Sequence, residues 1–212
     1  MVDFDKIKET GFFKALILTW KKSLFTPEAF FKELNNTENN NGILHPYFYA
    51  IIFTYINLVF SFFWDIFFFK IGFYKNYAIL PKIPLFFTNK DTIYFFIVIG
   101  IIFLLLVLGI LFTVFLILLT IVIHGFIMVM GGKKGIKNTF RIICYTAGVG
   151  FFSIFPIFGY NISATWFSAL MVIGIKETNE LSTPKSILAV LLPFIFASLI
   201  LVTFLIKLII AR

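Results

Sequence analysis

The stretch that decides the fold runs from Ile93 to Met130 and reads IYFFIVIGIIFLLLVLGILFTVFLILLTIVIHGFIMVM, 38 residues without a formal charge. As one α-helix it would be about 57 Å long at 1.5 Å per residue, nearly twice the hydrocarbon thickness of about 30 Å. As two helices it would need a turn, yet its middle, Gly109-Ile110-Leu111-Phe112, contains no polar residue. The run is therefore one long helix or two short spans, and the surrounding charges distinguish the two.

The positive charges around the apolar segments favour one long helix. If residues 93–130 are one span, the chain has five spans, and twelve of its 18 Lys and Arg residues fall on the side of the N-terminus. Splitting the run inverts every later segment and leaves eight inside and ten outside. Because short cytoplasmic loops carry an excess of Lys and Arg, we predict five transmembrane helices, a cytoplasmic N-terminus and an external C-terminus.

The composition agrees with a chain that is covered by lipid. Hydrophobic residues make up 60% of it and charged residues 13%, with a mean hydropathy of +1.01. A soluble domain is about 25% charged, so this chain has too little polar surface for water. The predicted fold class is all-α, a polytopic membrane helical bundle. Its transmembrane domain covers residues 42–212, and its approximate spans are 46–69, 93–130, 139–158, 162–175 and 186–206.

Residues 1–41 form a separate cytoplasmic segment, because charged residues interrupt it too often for a span. No cleaved signal peptide is expected, since Lys14 breaks a short apolar run. Apolar residues at helical spacing predict an amphipathic helix in the membrane interface; they are Phe13, Leu16, Ile17, Trp20 and Leu24. We expect this stripe to cover the end of the long helix around His124 to Met130.

Two polar connections flank the first span. Thr26-Pro27-Glu28 predicts the start of a short helix, which the polar stretch Asn35–Gly42 ends. After the first span, residues 70–90 combine lysines with aromatic residues and prolines, namely Tyr74, Tyr77, Pro81, Pro84 and Phe86. This mixture predicts an interfacial loop.

Several residues follow one another in a distinctive order. The first group is Trp20-x6-Pro27-x2-Phe30-Phe31, and the later ones are Gly131-Gly132-Lys133, Thr139, Tyr145, Pro156, Gly159, Trp166, Gly174, Lys176, Ser182, Lys185 and Pro193. Together they resemble the Yip family, the Rab-interacting multispan membrane proteins whose shared unit is the Yip-one domain. Relatives often carry a proline where this chain has Ala147, Gly148 and Val149, so the bend there is expected to differ.

The resemblance covers about residues 20–200 and implies five spans, a cytoplasmic N-terminus and no established chemistry. Eukaryotic relatives are associated with Rab GTPases and with traffic between the endoplasmic reticulum and the Golgi. The prokaryotic branch, which the short N-terminus resembles, has no settled activity, so Rab binding is not transferred. A composition rich in Lys, Asn, Ile and Phe also indicates an AT-rich prokaryotic genome, and hence a prokaryotic cytoplasmic membrane.

Polar or helix-bending residues within the predicted spans are the candidate intramembrane sites; they are Asp65, His124, Tyr145, Gly148, Pro156, Tyr160, Asn161 and Trp166. Asp65 lies one turn from the outer end of its span, where water reaches it. A lone His124 favours hydrogen-bonded packing over metal binding. The segment 145–161 is rich in Gly, Ser and Pro, so it is either a tightly packed bend or a broken helix that lines a transport pathway.

No catalytic, metal or cofactor site is predicted. The two histidines and Cys144 show no ligand spacing, and no His can be grouped with a nearby Ser or Cys and an acid. With one cysteine, an intrachain disulfide is excluded. We therefore expect a protein that is not an enzyme and needs no cofactor.

The candidate contacts for lipid or a partner are basic or interfacial; they are Trp20, Lys21, Lys22, Lys133, Lys134, Lys137 and Arg141. The net charge of +8 indicates membrane electrostatics rather than nucleic-acid binding, because no basic block is long enough for a polybasic arm. The predicted partners are the bilayer, anionic headgroups and a membrane or cytoplasmic protein, and a homo-oligomer stays open. The leading hypothesis is a membrane adaptor or membrane-organising protein. The alternative is a small channel or transporter with its pathway near the third helix.

Overall fold

The computed structural model describes residues 2–36, 42–73 and 90–210, and all regular structure in these ranges is helical. A short 3₁₀ helix, Asp3–Lys6, opens the chain. The α-helices are α1 (Ile7–Thr10), α2 (Phe12–Phe25), α3 (Pro27–Asn36), α4 (Leu44–Lys70), α5 (Lys90–Val129), α6 (Ile136–Thr146), α7 (Gly159–Asn179) and α8 (Thr183–Ile210). A second 3₁₀ helix, Ala147–Ile154, follows α6 directly. The predicted all-α class is thus found in the described residues.

Three described helices are long and apolar enough to cross a membrane: Leu44–Phe68, Ile99–Val129 and Thr183–Thr203. The long apolar run lies in one continuous helix, α5. Two hydrogen bonds show how α4 and α5 are oriented. Tyr47 Oη is bonded to Thr113 Oγ1, and Tyr55 Oη donates to the Leu105 carbonyl, so the numbering rises along α4 as it falls along α5. The two helices are therefore antiparallel, and α4 begins at the end of the molecule where α5 finishes.

The third predicted span is not a single α-helix. Over residues 139–158, α6 ends at Thr146 and the chain continues as the 3₁₀ helix Ala147–Ile154, before the turn at Pro156. Glycine permits this path, since a Cβ on Gly150 would lie 2.9 Å from the backbone oxygen of Phe53 in α4. The fourth predicted span, 162–175, is contained in the longer helix α7. The 3₁₀ helix packs closely between α4 and α7.

The N-terminal helices pack onto the bundle at the end where α4 begins. Helix α3 starts at Pro27 and lies against α7, with Phe31 next to Gly174 and Lys32 paired to Glu177 at 3.5 Å. Helix α2 contacts α6 and the 3₁₀ helix that follows it. The N-terminal segment is therefore folded against the membrane domain over residues 2–36.

The predicted packing of the α2 stripe on the end of α5 is wrong. Phe13 and Ile17 are exposed by 76% and 60%, and buried Leu24 packs with Val149 and Leu170. The last turns of α5 pack against α6 and α8 instead, where Ile123 and Ile127 are buried. The hairpin between α5 and α6 explains this, because α6 occupies the surface of α5 that the stripe was expected to cover.

Two predictions fall largely outside the described residues. The interfacial loop of residues 70–90 lies mostly within 74–89, and the polar stretch of residues 35–42 lies mostly within 37–41. Within the described part, one main hydrophobic core joins the N-terminal segment to α4, α5, α6 and α7. Its largest buried aromatic side chains are Phe4, Phe30, Phe31, Tyr49 and Tyr145.

Candidate functional site

A buried ionic cluster joins the first residues of the chain to α6. The Asp5 carboxylate lies 3.4 Å from Arg141 Nη2, and Tyr145 Oη donates a hydrogen bond to it at 3.1 Å. His45 Nδ1, at the start of α4, lies 3.9 Å from the same carboxylate. The Asp5 and Arg141 side chains are only 1% and 2% exposed, so water does not screen their charges. The cluster therefore links three segments that are distant in sequence.

Apolar neighbours hold Asp5 in place. Val2 and Phe4 are fully buried, and the Phe4 amide donates to Thr19 Oγ1 at 2.9 Å. The Phe4 ring packs edge-on against Tyr49, with ring centroids 5.7 Å apart. The segment Val2-Asp3-Phe4-Asp5, most of which lies in the first 3₁₀ helix, thus turns the Val2 side chain, the Phe4 ring and the Asp5 carboxylate inward. This segment closes the space between α2, α4 and α6.

Arg141 was predicted to lie on a basic surface, but the structure buries it. Arginine at position 141 is on the face of α6 that also carries Asn138 and Tyr145, three and four residues away. Its Nε and Nη1 atoms, and both polar atoms of the Asn138 side chain, have no hydrogen-bond partner among the described residues. The charge of Arg141 is therefore matched by Asp5 inside the protein rather than by lipid outside it.

The other predicted basic residues remain near the surface. Lys21, Lys133 and Lys137 are exposed, and Lys134 is half-buried. Lys22 is paired with Asp3 at 2.7 Å, and this hydrogen-bonded carboxylate raises the pKa of the Lys22 ammonium above its ordinary value. We call Lys21, Lys133, Lys134 and Lys137 the basic surface. It lies at the end of the molecule where α5 finishes, α6 begins and the N-terminal segment docks.

Trp20 lies beneath this surface rather than on it. Its indole Nε1 donates to the Gly148 carbonyl at 3.0 Å, and its ring packs on Phe151 with centroids 4.9 Å apart. Trp166 likewise donates to a backbone carbonyl, that of Leu24, at 3.3 Å. Both tryptophans therefore fasten α2 to the membrane domain.

The glycine-rich segment after Tyr145 is tightly packed. A Cβ on Gly148 would collide with Tyr49 Oη, and a Cβ on Gly159 would collide with the backbone oxygen of Phe152. Ile157 has a positive φ of 66°, which marks a sharp turn beside the half-buried Pro156. This geometry is that of close helix packing, one of the two interpretations that the sequence left open.

A cleft of about 340 Å³ lies at the opposite end, between the end of α4, the second 3₁₀ helix and the start of α7. It brings together three predicted residues, Asp65, Pro156 and Tyr160, and polar side chains that the sequence did not single out, among them Asn57 and Ser163. Asn161 is exposed and does not line this cleft. The predicted polar residues thus divide between two places, with Tyr145 and Gly148 near the N-terminal segment.

His124 takes a packing position. Its Nδ1 lies 3.0 Å from Thr139 Oγ1, so it connects α5 to α6. Within residues 2–36, 42–73 and 90–210, no group of three or more His, Cys, Asp or Glu residues is placed to hold a metal ion. Cys144 is a buried free thiol.

Sequence reasoning missed Asp5, the central acid of the ionic cluster. Residues 1–10 contain five lysines and acids, so they resemble a solvated segment, and no local pattern indicates a partner 136 residues away. The available signal was the alternation of two apolar residues, Val2 and Phe4, with two acids. This spacing fits a short segment with one buried side.

These features define a class, the polytopic α-helical membrane protein, here with a helical N-terminal segment docked on one end of its bundle. A family model described as the Yip1 domain matches residues 21–206, so the chain belongs to the Yip1 domain family. The resemblance seen in the sequence is thereby confirmed. No curated protein and no solved structure matches the chain. The family is not known for enzymatic activity.

Proposed function

We propose that this protein is a non-enzymatic membrane adaptor whose basic surface contacts anionic lipid headgroups. The observation that carries this proposal is the placement of Lys21, Lys133 and Lys137, which are exposed at the end where the N-terminal segment docks. Each lysine near an anionic membrane surface contributes about 1 kcal/mol of attraction. Together these three exposed lysines give one end of the molecule a defined electrostatic face.

The polar groups inside the protein support a role without catalysis. Arg141 is matched by Asp5, and His124 is bonded to Thr139. These contacts connect segments of the fold, and neither histidine is placed with a serine or cysteine nucleophile in the described contacts. The chemistry that remains accessible is the positive charge of the lysine side chains.

We also propose the five-crossing arrangement with a cytoplasmic N-terminus. In it α6 and the following 3₁₀ helix form the third crossing and α7 the fourth, next to the three long apolar helices. The distribution of Lys and Arg supports this arrangement. Reporter tags at the two ends test it, because an odd number of crossings requires opposite compartments. If both tags were reached from one side, the proposed topology would be rejected.

A vesicle-capture assay tests the adaptor function. Proteoliposomes of phosphatidylcholine that present the basic surface should retain fluorescent vesicles containing phosphatidylglycerol, and retention should fall with added salt. Neutralising Lys21, Lys133 and Lys134 to Gln should abolish retention. The control is Lys70→Gln, an exposed lysine at the far end of α4. Equal retention by the triple variant and the control would contradict the proposal.

A transporter is the second candidate, and the cleft at Asp65 is the observation that favours it. It holds about 340 Å³ and combines an acid with several hydroxyl and amide groups. Efflux of an entrapped solute or ion from the same proteoliposomes separates the two functions. Flux that disappears in Asp65→Asn would support transport, whereas capture without flux supports the adaptor.

A further inference from the structure

A lateral groove runs along the seam between α4 and α5. At the end of the groove where α4 begins, a cavity of about 380 Å³ is bounded by the start of α4, the middle of α5 and the start of α6. We call it the upper cavity. A second cavity of about 250 Å³ lies further along the same two helices and shares Tyr47 and Thr113 with the first. The two cavities are therefore neighbouring parts of one groove, which we call the seam groove.

The seam groove has the length and position of a lipid tail site. Along α5 it extends from Ile121 to Leu106, about 22 Å at 1.5 Å per residue, which exceeds half of a hydrocarbon core of about 30 Å. Both helices that form its length, α4 and α5, are apolar enough to cross a membrane over these residues. A molecule in the groove would therefore lie alongside the membrane-crossing parts of the protein.

The hydroxyl groups of the groove are already used by the protein. Tyr47 Oη lies 2.8 Å from Thr113 Oγ1, which donates to the Gly109 carbonyl. Thr120 donates to the Leu116 carbonyl, and Tyr55 donates to the Leu105 carbonyl. With these hydrogen bonds formed, the side chains offer carbon atoms to an occupant. This surface suits a hydrocarbon chain and gives no specific recognition to a polar solute.

One charge lies at the end of this apolar groove. Among the described residues that line the upper cavity, Lys137 in the first turn of α6 is the only charged one. It is exposed and forms no ion pair with any described residue. Its ammonium group is thus available to an anion held where the apolar lining stops, which is the arrangement of a phosphate above an acyl chain.

We propose that the seam groove binds one anionic phospholipid, with an acyl chain between α4 and α5 and its phosphate on Lys137. This inference deepens the proposed headgroup contact by adding a discrete site for a single lipid. It differs from the attraction of the whole basic surface, because only Lys137 lines the groove. A lipid held there would fasten α6, and with it the docked N-terminal segment, to the membrane-crossing helices.

Native mass spectrometry tests the site on the full-length protein. The protein is reconstituted with phosphatidylglycerol and phosphatidylcholine of identical acyl chains and then stripped with mild detergent. We expect one phosphatidylglycerol to be retained by the unmodified protein. Lys137→Gln should lower the preference for phosphatidylglycerol about fivefold, the factor implied by losing one lysine–headgroup attraction. Lys185→Gln, an exposed lysine in the first turn of α8 that lies outside the groove and outside the basic surface, should keep the preference.

A second pair of variants tests the groove itself. Ile117 lines the upper cavity, whereas its neighbour Leu118 does not, and their side chains are 48% and 56% exposed. Ile117→Trp should fill the groove and abolish lipid retention, and Leu118→Trp should retain lipid normally. Equal retention by these two variants, or equal preference in Lys137→Gln and Lys185→Gln, would overturn the proposal. Retention of a second copy of the chain in place of lipid would also overturn it.

Photocrosslinking provides a readout that does not depend on the variants folding. A phosphatidylglycerol with a diazirine in its acyl chain should label peptides containing residues 43–55 and 106–121 of the unmodified protein. Labelling spread evenly over all exposed apolar faces would refute the site. Vesicle capture tests the adaptor function separately, so the lipid site can be refuted while the adaptor proposal stands, and the reverse.

Discussion

Substitution of Asp5 by alanine should release the first residues of the chain while the helical bundle stays folded. The change removes the carboxylate that lies 3.4 Å from Arg141 Nη2 and accepts from Tyr145 at 3.1 Å. Removing one member of a buried ion pair costs about 3–5 kcal/mol, because the other charge is left in a poorly solvated place. Arg141 has no second described acceptor at Nε or Nη1 to offset this cost.

The remaining contacts of residues 2–6 are too weak to offset a loss of this size. Burial of Phe4 and Val2 contributes about 1.5–3 kcal/mol each. Ordering the backbone of residues 2–6 opposes docking by about 1–2 kcal/mol for each residue. Apolar burial alone does not offset this cost, so the contacts of Asp5 are needed for docking, and a loss of about 3 kcal/mol favours detachment, which lets water reach Arg141. The equilibrium constant for detachment of the segment should therefore rise by slightly more than about a hundredfold.

Hydrogen–deuterium exchange measures this opening directly. In lipid nanodiscs, amides of residues 3–10 should exchange at least about a hundredfold faster in Asp5→Ala, whereas α7 should keep its protection. The double variant Asp5→Ala with Arg141→Met replaces the pair by apolar groups and should recover most of the protection, since such replacements are often neutral. Unchanged exchange in the single variant, or no recovery in the double variant, would refute this account of the cluster.

Three further predictions concern packing and charge. Gly148→Ala should destabilise the fold by about 1–3 kcal/mol, because its Cβ would collide with the hydroxyl of buried Tyr49. Thermal unfolding should show this loss, whereas Gly125→Ala, with open space around it, should be neutral or stabilising. Thr139→Val should cost about 1 kcal/mol by removing the partner of His124, and a double variant with His124→Ala should show that the two losses are not additive. The raised pKa of Lys22 means that its pair with Asp3 stabilises the fold fully below pH 10.5 and that this contribution disappears as the pH rises through the higher folded pKa. Because Lys22 is 43% exposed, Lys22→Gln should cost less than about 1 kcal/mol at neutral pH, and a stability difference that persisted well above that pH range would count against the pair.

The sequence predicted the helical class and the long helix α5 because both depend on local composition. An uncharged run of 38 residues needs no tertiary information to be identified. The break after Thr146 was foreseen only as a bend, since a 3₁₀ path arises when Gly150 approaches the backbone of α4. Such an approach depends on contacts between segments about a hundred residues apart, which periodicity does not encode.

The candidate site was predicted less well for the same reason. Lys21, Lys133 and Lys137 are exposed, as charged side chains normally are, and their contact with lipid or a partner stays a prediction. Arg141 follows the same rule in sequence, yet a carboxylate from the N-terminal segment draws it inward. The seam groove was also missed, because its lining residues look like any apolar helix face until two helices are seen side by side.

The distance in sequence between Asp5 and Arg141 affects how the protein is made. The two residues are 136 positions apart, so at about 5–20 residues per second the ribosome adds Arg141 roughly 7–27 s after Asp5. During that interval the Asp5 carboxylate lacks its two partners on α6, Arg141 and Tyr145. Docking of the first residues must therefore be a late step of biogenesis, after the hairpin of α5 and α6 has left the translocation machinery.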